Sequence, residues 1–301
     1  MRVLVTGAAG FVGSAVCRCA SARGDEVHAL VRPGRPYDAH PGVSYRELDW
    51  SSDVGSLTTA VDEVRADIVV HCAGATPRAT SDLVALYDAN VRLVWTLSTA
   101  IKNASTEPSA VILSSAAVYG PSPPIPTHET APLAAGSHYA WSKVLAEEVV
   151  RAFVRTEQAR ICIARPFNLL GGGEPAGSVV SDVVDQLEEV PSRPTVRLRE
   201  TGSVRDYVDV DDAAAALLLL AAHGAPGGAY NVCTGRGISI GDLVQTILDV
   251  WGSNACVEVL NPSAQATVSV GSPDKIRGLG WEPSATLWAS LEASLRARKQ
   301  T

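Results

Sequence analysis

The chain lacks any basic excess. Its 301 residues carry 32 acidic side chains against 25 lysines and arginines, a formal charge of -7, whereas a nucleic-acid surface needs the opposite balance to neutralise phosphates. Single basic residues can still hold a small phosphate ligand. Long apolar runs are missing as well. The longest stretch of alanine and leucine, residues 213–222, is bounded by Asp212 and His223 and falls short of the ~20 residues a membrane span requires, so it reads as a buried helix. The first residues enter an apolar strand with no basic region, long apolar segment or cleavage site, so no signal peptide is expected and the cytoplasm is the expected location. The six cysteines, at positions 17, 19, 72, 162, 233 and 256, form no CxxC and have no histidines at zinc spacing. All six are expected to pack in the core of a reduced protein with no metal site. There is no internal repeat and no low-complexity tail.

What is present is a well-packed composition, 46% hydrophobic and 19% charged, in a chain long enough for two lobes. It opens on MRVLVTGAAGFVG: an apolar run at Val3, Leu4 and Val5, then Gly7, Gly10 and Gly13, then a helical pattern. Glycines at such a turn permit positive φ and let a pyrophosphate approach the helix N-terminus, whose free N–H groups and dipole favour an anion. A tight turn with close helix packing is the alternative reading of the same spacing.

Strands and helices alternate through the first half. Strands are expected at 26–31, 43–48, 67–72, 110–115 and 161–164, with helices from Leu57, Val61 and Val64, over 82–103 along the stripe Leu83, Tyr87, Val91, Val94, Leu97 and Ile101, and over 138–156. This repetition predicts an α/β doubly wound parallel sheet of Rossmann type, with ligands at the carboxyl ends of the strands. Residues 1–165 are expected to form the dinucleotide-binding domain. Residues 166–301 are expected to be mainly a smaller α/β substrate lobe, some of whose segments return to the sheet. Within it, 171–177 reads as a loop, 191–194 as a break, 179–188, 210–222 and 240–251 as helices, 229–232 and 257–260 as strands, and the stripe Leu287, Leu291 and Leu295 as a terminal helix.

Chemistry is expected at the ends of the fifth and sixth strands. Tyr139 and Lys143 are one helical turn apart and share a face, and an ammonium near a phenol favours phenolate, bringing tyrosine towards use as an acid or base; a surface or packing pair is the alternative reading of the same spacing. Ser115 places a hydroxyl at the same sheet end. The second strand ends in Arg32, where an NAD-binding chain would place an acidic residue against the ribose hydroxyls; an arginine there can meet a 2′-phosphate.

The motifs TGAAGFVG, HCAG, Asn90 in the long helix, SSAAVYG, YAWSK, RPFN, RDYVDVDD and LGWEP resemble, in this order and over nearly the whole chain, the extended short-chain dehydrogenase/reductases, also called NAD-dependent epimerase/dehydratases. The resemblance implies Ser115 as the catalytic hydroxyl, Tyr139 as the proton-transferring group and Lys143 as the lysine that also holds the nicotinamide ribose. It implies a cofactor site of Gly7, Gly10, Phe11, Val12, Gly13, Arg32, Asp49, Ala73, Gly74 and Lys143, with NADP(H) preferred and NAD(H) accepted. Asn168 and Arg205 are implied to grip the diphosphate of a nucleotide-sugar substrate, and the helices after Leu83 and around Tyr139 to pair in a homodimer. YNVCTGRGISI and RPFNLLGGGEP look most like nucleotide-sugar 4-ketoreductases, those acting on GDP-4-dehydro-6-deoxy-mannose among them, although Gly171, Gly172, Gly173, Glu174 and Pro175 replace the usual Gly-Pro-Gly-Gln. Dehydratases of the family carry Asp and Glu after the catalytic hydroxyl; here Ala116 and Ala117 stand there. Elimination is therefore not expected. The reading is reduction of a 4-keto-6-deoxy nucleotide sugar, with 4-epimerisation on retained NAD, or a non-catalytic dinucleotide sensor, as alternatives. His128 and Glu129 read as a solvated loop.

Overall fold

The computed structural model describes residues 1–49, 53–77, 79–189 and 195–298; the break expected at 191–194 lies outside them. In chain order the first half runs β1 (Arg2–Thr6), α1 (Phe11–Ala22), β2 (Glu26–Val31), β3 (Val43–Glu47), α2 (Val54–Val64), β4 (Ile68–His71), α3 (Leu83–Tyr87), α4 (Leu93–Asn103), β5 (Ser109–Leu113), α5 (His138–Glu157) and β6 (Ile161–Pro166). There follow β7 (Asn168–Leu170), α6 (Val179–Glu189), β8 (Thr195–Leu198), β9 (Val204–Asp209), α7 (Val210–His223), β10 (Ala229–Val232), β11 (Gly237–Ser239), α8 (Ile240–Trp251), β12 (Cys256–Val259), β13 (Val268–Ser269), α9 (Asp274–Arg277) and α10 (Leu287–Arg298).

Seven parallel strands form the main sheet in the order β10-β6-β5-β4-β1-β2-β3. The central strands are buried on both faces because alternate residues feed two cores. Val3, Val5, Val70 and Val111 point to the side covered by α1 and α7, while Leu4, Val69, Ile112 and Ile163 point to the side covered by α2, α4 and α5. Chain order reverses between β1 and β4, whose registers align Thr6 with His71 and, on the other flank of β1, Thr6 with Leu30. A crevice therefore opens beyond the carboxyl ends of these strands, and Gly7, Arg32 and Cys72 lie at its edge.

Strand 229–232, in the half from which some segments are expected to return to the sheet, is β10, the seventh strand of the main sheet, set against β6 with Ala229 opposite Ile163. The preceding α7 is buried nearly throughout and carries the chain back to that sheet. The long helix over 82–103 is interrupted by a π turn, Asp88–Arg92. A π turn inserts a residue and rotates the faces about 100° apart, so Leu86 is buried and Leu83 exposed, while Val94, Leu97 and Ile101 keep the expected stripe. Cys256, expected in the core, is exposed, because β12 pairs only with β8 in a two-stranded ribbon.

The second lobe has its own core, built from α6, α8 and α10 around Val183, Leu187, Leu243, Ile247, Leu291 and Leu295. A sheet of β11, β9 and β13, with β7 also on β9, links it to the strand ends. Asp206 in β9 is the pin: its carboxylate accepts from the Thr234 and Gly235 amides at 2.9 Å each and from the Thr234 hydroxyl at 2.7 Å. Among the described residues, no helix is long and apolar enough to cross a membrane.

Candidate active site

The glycine turn is shaped by steric exclusion. Gly7 sits at φ +71°, and a Cβ there would lie 2.5 Å from the Ala73 amide nitrogen in the loop after β4. A Cβ on Gly13 would collide with the Gly7 carbonyl oxygen. Gly10 caps α1 and donates its amide to Gly7 at 3.0 Å. The turn thus lies flat against residues 72–74, and α1 opens with Phe11 and Val12 and no acidic side chain in its first turn, which leaves its N–H groups suited to an anion.

Beside this turn is a cavity of about 300 Å³ lined by Gly7, Gly10, Arg32, Asp49, Ala73 and Gly74 from the expected set. Leu30, Val31, Arg35, Leu48, Thr80 and Leu93 line it too and were not singled out from the sequence. Arg35 had a signal, its place in RPGR directly after the second strand. The apolar members read as ordinary strand and helix positions. Phe11, Val12, Gly13 and Lys143, expected in the cofactor site, do not line this cavity, though Lys143 approaches its Gly74 wall, its Nζ 3.3 Å from where a Gly74 Cβ would be. The narrow apolar slot, the side-chain-free floor at Gly7 and Gly74, and the helix N-terminus suit the adenosine and pyrophosphate of a dinucleotide.

Ser115, Tyr139 and Lys143 converge near Gly74. β5 ends one residue before the Ser114–Ser115 pair, and Ser115 caps a 3₁₀ turn, Ala116–Tyr119, its Oγ accepting from the Ala117 amide at 3.2 Å. Tyr139 lies in the first turn of α5, capped by Ser137. Burial pushes its phenol above the ordinary value of 10, although the neighbouring Ser115 side chain draws it down. This corrects the expectation that Lys143 would favour phenolate. The Lys143 ammonium donates to the Leu113 carbonyl at 2.9 Å and sits 5.9 Å from the Tyr139 ring centroid, and loss of water around the phenol is the larger effect. Burial also draws Lys143 down to about 8, against the opposing pull of Cys72 and Glu147.

Asn90, turned inward by the π turn, ties the cofactor side to α5. Its amide nitrogen donates to the Ala75 carbonyl and to Ser142 Oγ, both at 2.9 Å, and its oxygen accepts from the Ala75 amide at 3.0 Å.

A second cleft adjoins Ser115 on the side away from the glycine turn, lined by Ala116, Ala117, Phe167, Asn168, Arg205 and Thr267 among others. Asn168 Nδ2 donates to the Asp206 carbonyl at 3.1 Å. The Arg205 guanidinium donates to the Val204 and Thr267 carbonyls at 2.8 Å each and to Thr267 Oγ1 at 2.7 Å, so Asn168 and Arg205 do meet Ser115 in one cleft. Ser269 arrives from β13, a two-residue strand with no periodic signal, and Thr267 directly precedes that strand. Glu129, read as solvated, is half-buried, and its carboxylate accepts from the Asn231 amide at 2.8 Å; His128 is exposed.

A profile described as the NAD dependent epimerase/dehydratase family matches residues 3–233. The chain is 29% identical to the GDP-6-deoxy-D-mannose reductase of Pseudomonas aeruginosa, covering 98% of this chain and 96% of that one. It is 31% identical to the UDP-glucose 4-epimerase of Azospirillum brasilense over 94% and 87% of the two chains. Among solved structures, the UDP-glucose 4-epimerase of Thermus thermophilus in complex with NAD superposes with a TM-score of 0.84 at 27% identity, over 99% of each chain.

Proposed function

Because this chain belongs to the NAD dependent epimerase/dehydratase family, we propose that it reduces a 4-keto-6-deoxy nucleotide sugar to the 4-hydroxy sugar at the expense of NADPH. The observation that carries this reading is that Ser115 lines a cleft with Ala116 and Ala117, while Lys143, 5.9 Å from the Tyr139 ring centroid, reaches Gly74 in the wall of the dinucleotide-shaped cavity. Two alanines offer no acid or base for eliminating water from the sugar. They leave an apolar wall suited to a deoxy carbon.

The nicotinamide, when bound, supplies the hydride to C4. Tyr139, held protonated by its burial, donates its proton to the developing alkoxide, and Ser115 donates a hydrogen bond to the same oxygen. Lys143, anchored on the Leu113 carbonyl, holds the ribose and replaces positive charge near the phenol as its proton leaves. Asn168 and Arg205 bind the diphosphate; one guanidinium face is already fixed by Thr267, so the arginine is preorganised. Exposed Trp95, Trp141 and Leu145 on α4 and α5 support a homodimer built on these helices.

The epimerase relatives favour a second reading, 4-epimerisation on a retained cofactor. Stoichiometry separates the two. Supplied with a 4-keto-6-deoxyhexose nucleotide, a reductase oxidises one NADPH per sugar alcohol formed; interconversion of 4-hydroxy epimers with no net cofactor oxidation would assign the chain to epimerisation. A protein that bound dinucleotide without either reaction would be a sensor.

Cofactor choice rests on Arg32 and Arg35, which line the cavity where β2 ends, while the carboxylate there, Asp49, follows β3 instead. A charge-assisted hydrogen bond to a 2′-phosphate contributes about 1.5–3 kcal/mol, so kcat/KM should favour NADPH over NADH by roughly 10- to 100-fold. Arg32→Ala should erase most of that ratio. Equal use of both cofactors by the parent protein would remove Arg32 from the site.

A further inference from the structure

Behind the cleft lies a buried polar cluster that the chemistry above does not use. Glu147 and Arg165 are 0% and 2% exposed. Their contact is bidentate, Arg165 Nη2 to Oε2 at 2.6 Å and Nε to Oε1 at 2.9 Å. Glu147 also accepts from the Ser114 hydroxyl at 2.6 Å and from Arg151 at 2.8 Å. The remaining guanidinium nitrogen of Arg165 donates to Tyr119 Oη at 2.9 Å and to the Glu129 carbonyl at 3.3 Å. Tyr119 in turn donates to Asn231 Oδ1 at 2.7 Å.

We propose that Glu147 and Arg165 are positioning residues whose ion pair braces the Ser115 turn, the helix carrying Tyr139 and Lys143, and the strand leading to Asn168 into one rigid unit. The proposal rests on the catalytic reading of Ser115, Tyr139 and Lys143. Its support is where the hydrogen bonds end. Ser114 immediately precedes Ser115, and Tyr119 closes the turn that Ser115 opens. Glu147 is one helical turn beyond Lys143 on α5. Arg165 is the penultimate residue of β6, three before Asn168, and Asn231 lies on β10, which flanks it. Through Ser114, Tyr119, α5 and β6 the pair therefore reaches segments bordering the reacting groups. Net stability is a weak reason to keep such a pair, since apolar residues of similar volume in place of a buried ion pair are often neutral or stabilising. Angular precision is a stronger one: a planar fork gripped on two edges fixes direction as well as distance, and displacing a reacting group by about 1 Å costs up to roughly 100-fold in rate.

The test compares three variants of the full-length protein: Arg165→Lys, which keeps the charge and loses the fork; Glu147→Gln/Arg165→Met, which removes both charges together; and Tyr139→Phe. Measured are thermal midpoint, dinucleotide dissociation constant, and kcat and KM for whichever of reduction or epimerisation the parent performs. The brace predicts that kcat falls by about 10- to 100-fold in Arg165→Lys and in the double variant, with the dinucleotide dissociation constant and KM within about threefold of the parent. It further predicts that the alkaline limb of the rate profile moves to lower pH in the double variant. Lys143 faces Glu147 on its own helix, Tyr139, and Cys72 and His71 at the end of β4, and loss of the carboxylate removes a group that favours its ammonium. Parental kcat in a folded Arg165→Lys or folded double variant, with Tyr139→Phe inactive, overturns the brace alone. Should the double variant not fold, Arg165→Lys decides. Parental turnover in Tyr139→Phe overturns the catalytic reading and the brace with it.

Discussion

Replacing Tyr139 with phenylalanine is expected to lower turnover by roughly 10²- to 10⁴-fold, the usual contribution of a positioned general acid, while leaving dinucleotide affinity within about a factor of two. The ring stays, and with it the packing beside Lys143, whose Nζ lies 5.9 Å from the ring centroid and is anchored on Leu113. Only the hydroxyl is lost. Because burial raises the phenol above 10, the parent keeps its donor protonated through neutral pH. The group that titrates within reach is Lys143, drawn down to about 8. A lysine is charged below its pKa, so kcat/KM should be level at neutral pH and fall as pH rises through about 8, as the ammonium that compensates the departing proton is lost. Turnover in Tyr139→Phe near that of the parent would remove the tyrosine from the mechanism. A rate that rose through the same interval would show that Lys143 acts as a neutral base.

The contrast between Tyr139 and its neighbours shows what a sequence can and cannot display. Periodicity carries the Rossmann half because each strand there is a short apolar run and each helix a stripe, and Val3, Val69 and Ile112 are buried for the same reason that they are legible. One helical turn of spacing puts Tyr139 and Lys143 on one face but fits a packing pair as well, and the motifs around them, SSAAVYG and YAWSK, carry the reading. Hydrogen bonds between residues far apart in sequence leave no such trace. Thr267 meets Arg205 across 62 positions, and Asn231 meets Glu129 across 102, so Thr267 gives no signal in the sequence and Glu129 reads there as solvated. A return of some later segments to the sheet is legible, but which one returns is not, because that depends on where α7 packs. The direction of the tyrosine shift failed for a related reason: the favourable charge is local and can be read from spacing, whereas desolvation is supplied by the whole surrounding wall.

The same limit applies to the glycines, which look alike in the sequence and differ in the structure, and the difference predicts a large effect on stability. Gly7→Ala is expected to destabilise the fold by about 2–5 kcal/mol. Placing an L-residue in the left-handed region at φ +71° costs roughly 1–2 kcal/mol, and the new methyl would sit 2.5 Å from the Ala73 nitrogen and 2.7 Å from its Cα. Those are backbone atoms following β4, a central strand paired on both sides, so they cannot move aside as a flexible side chain would, and overpacking of this kind adds about 1–3 kcal/mol. Gly10→Ala should behave otherwise. Gly10 lies at φ -93°, an angle any residue adopts, and its Cβ would be 3.2 Å from the Gly7 carbonyl oxygen, a contact that small adjustments relieve. At roughly 2–4 °C per kcal/mol for a chain of this size, Gly7→Ala should lower the thermal midpoint by about 5–15 °C and Gly10→Ala by no more than about 4 °C. Gly10 nonetheless lines the cavity, so its alanine variant should lose dinucleotide affinity while keeping its midpoint. Equal midpoints for the two variants would mean that the β4 loop yields to a methyl group, and that Gly7 is required only by what binds above it.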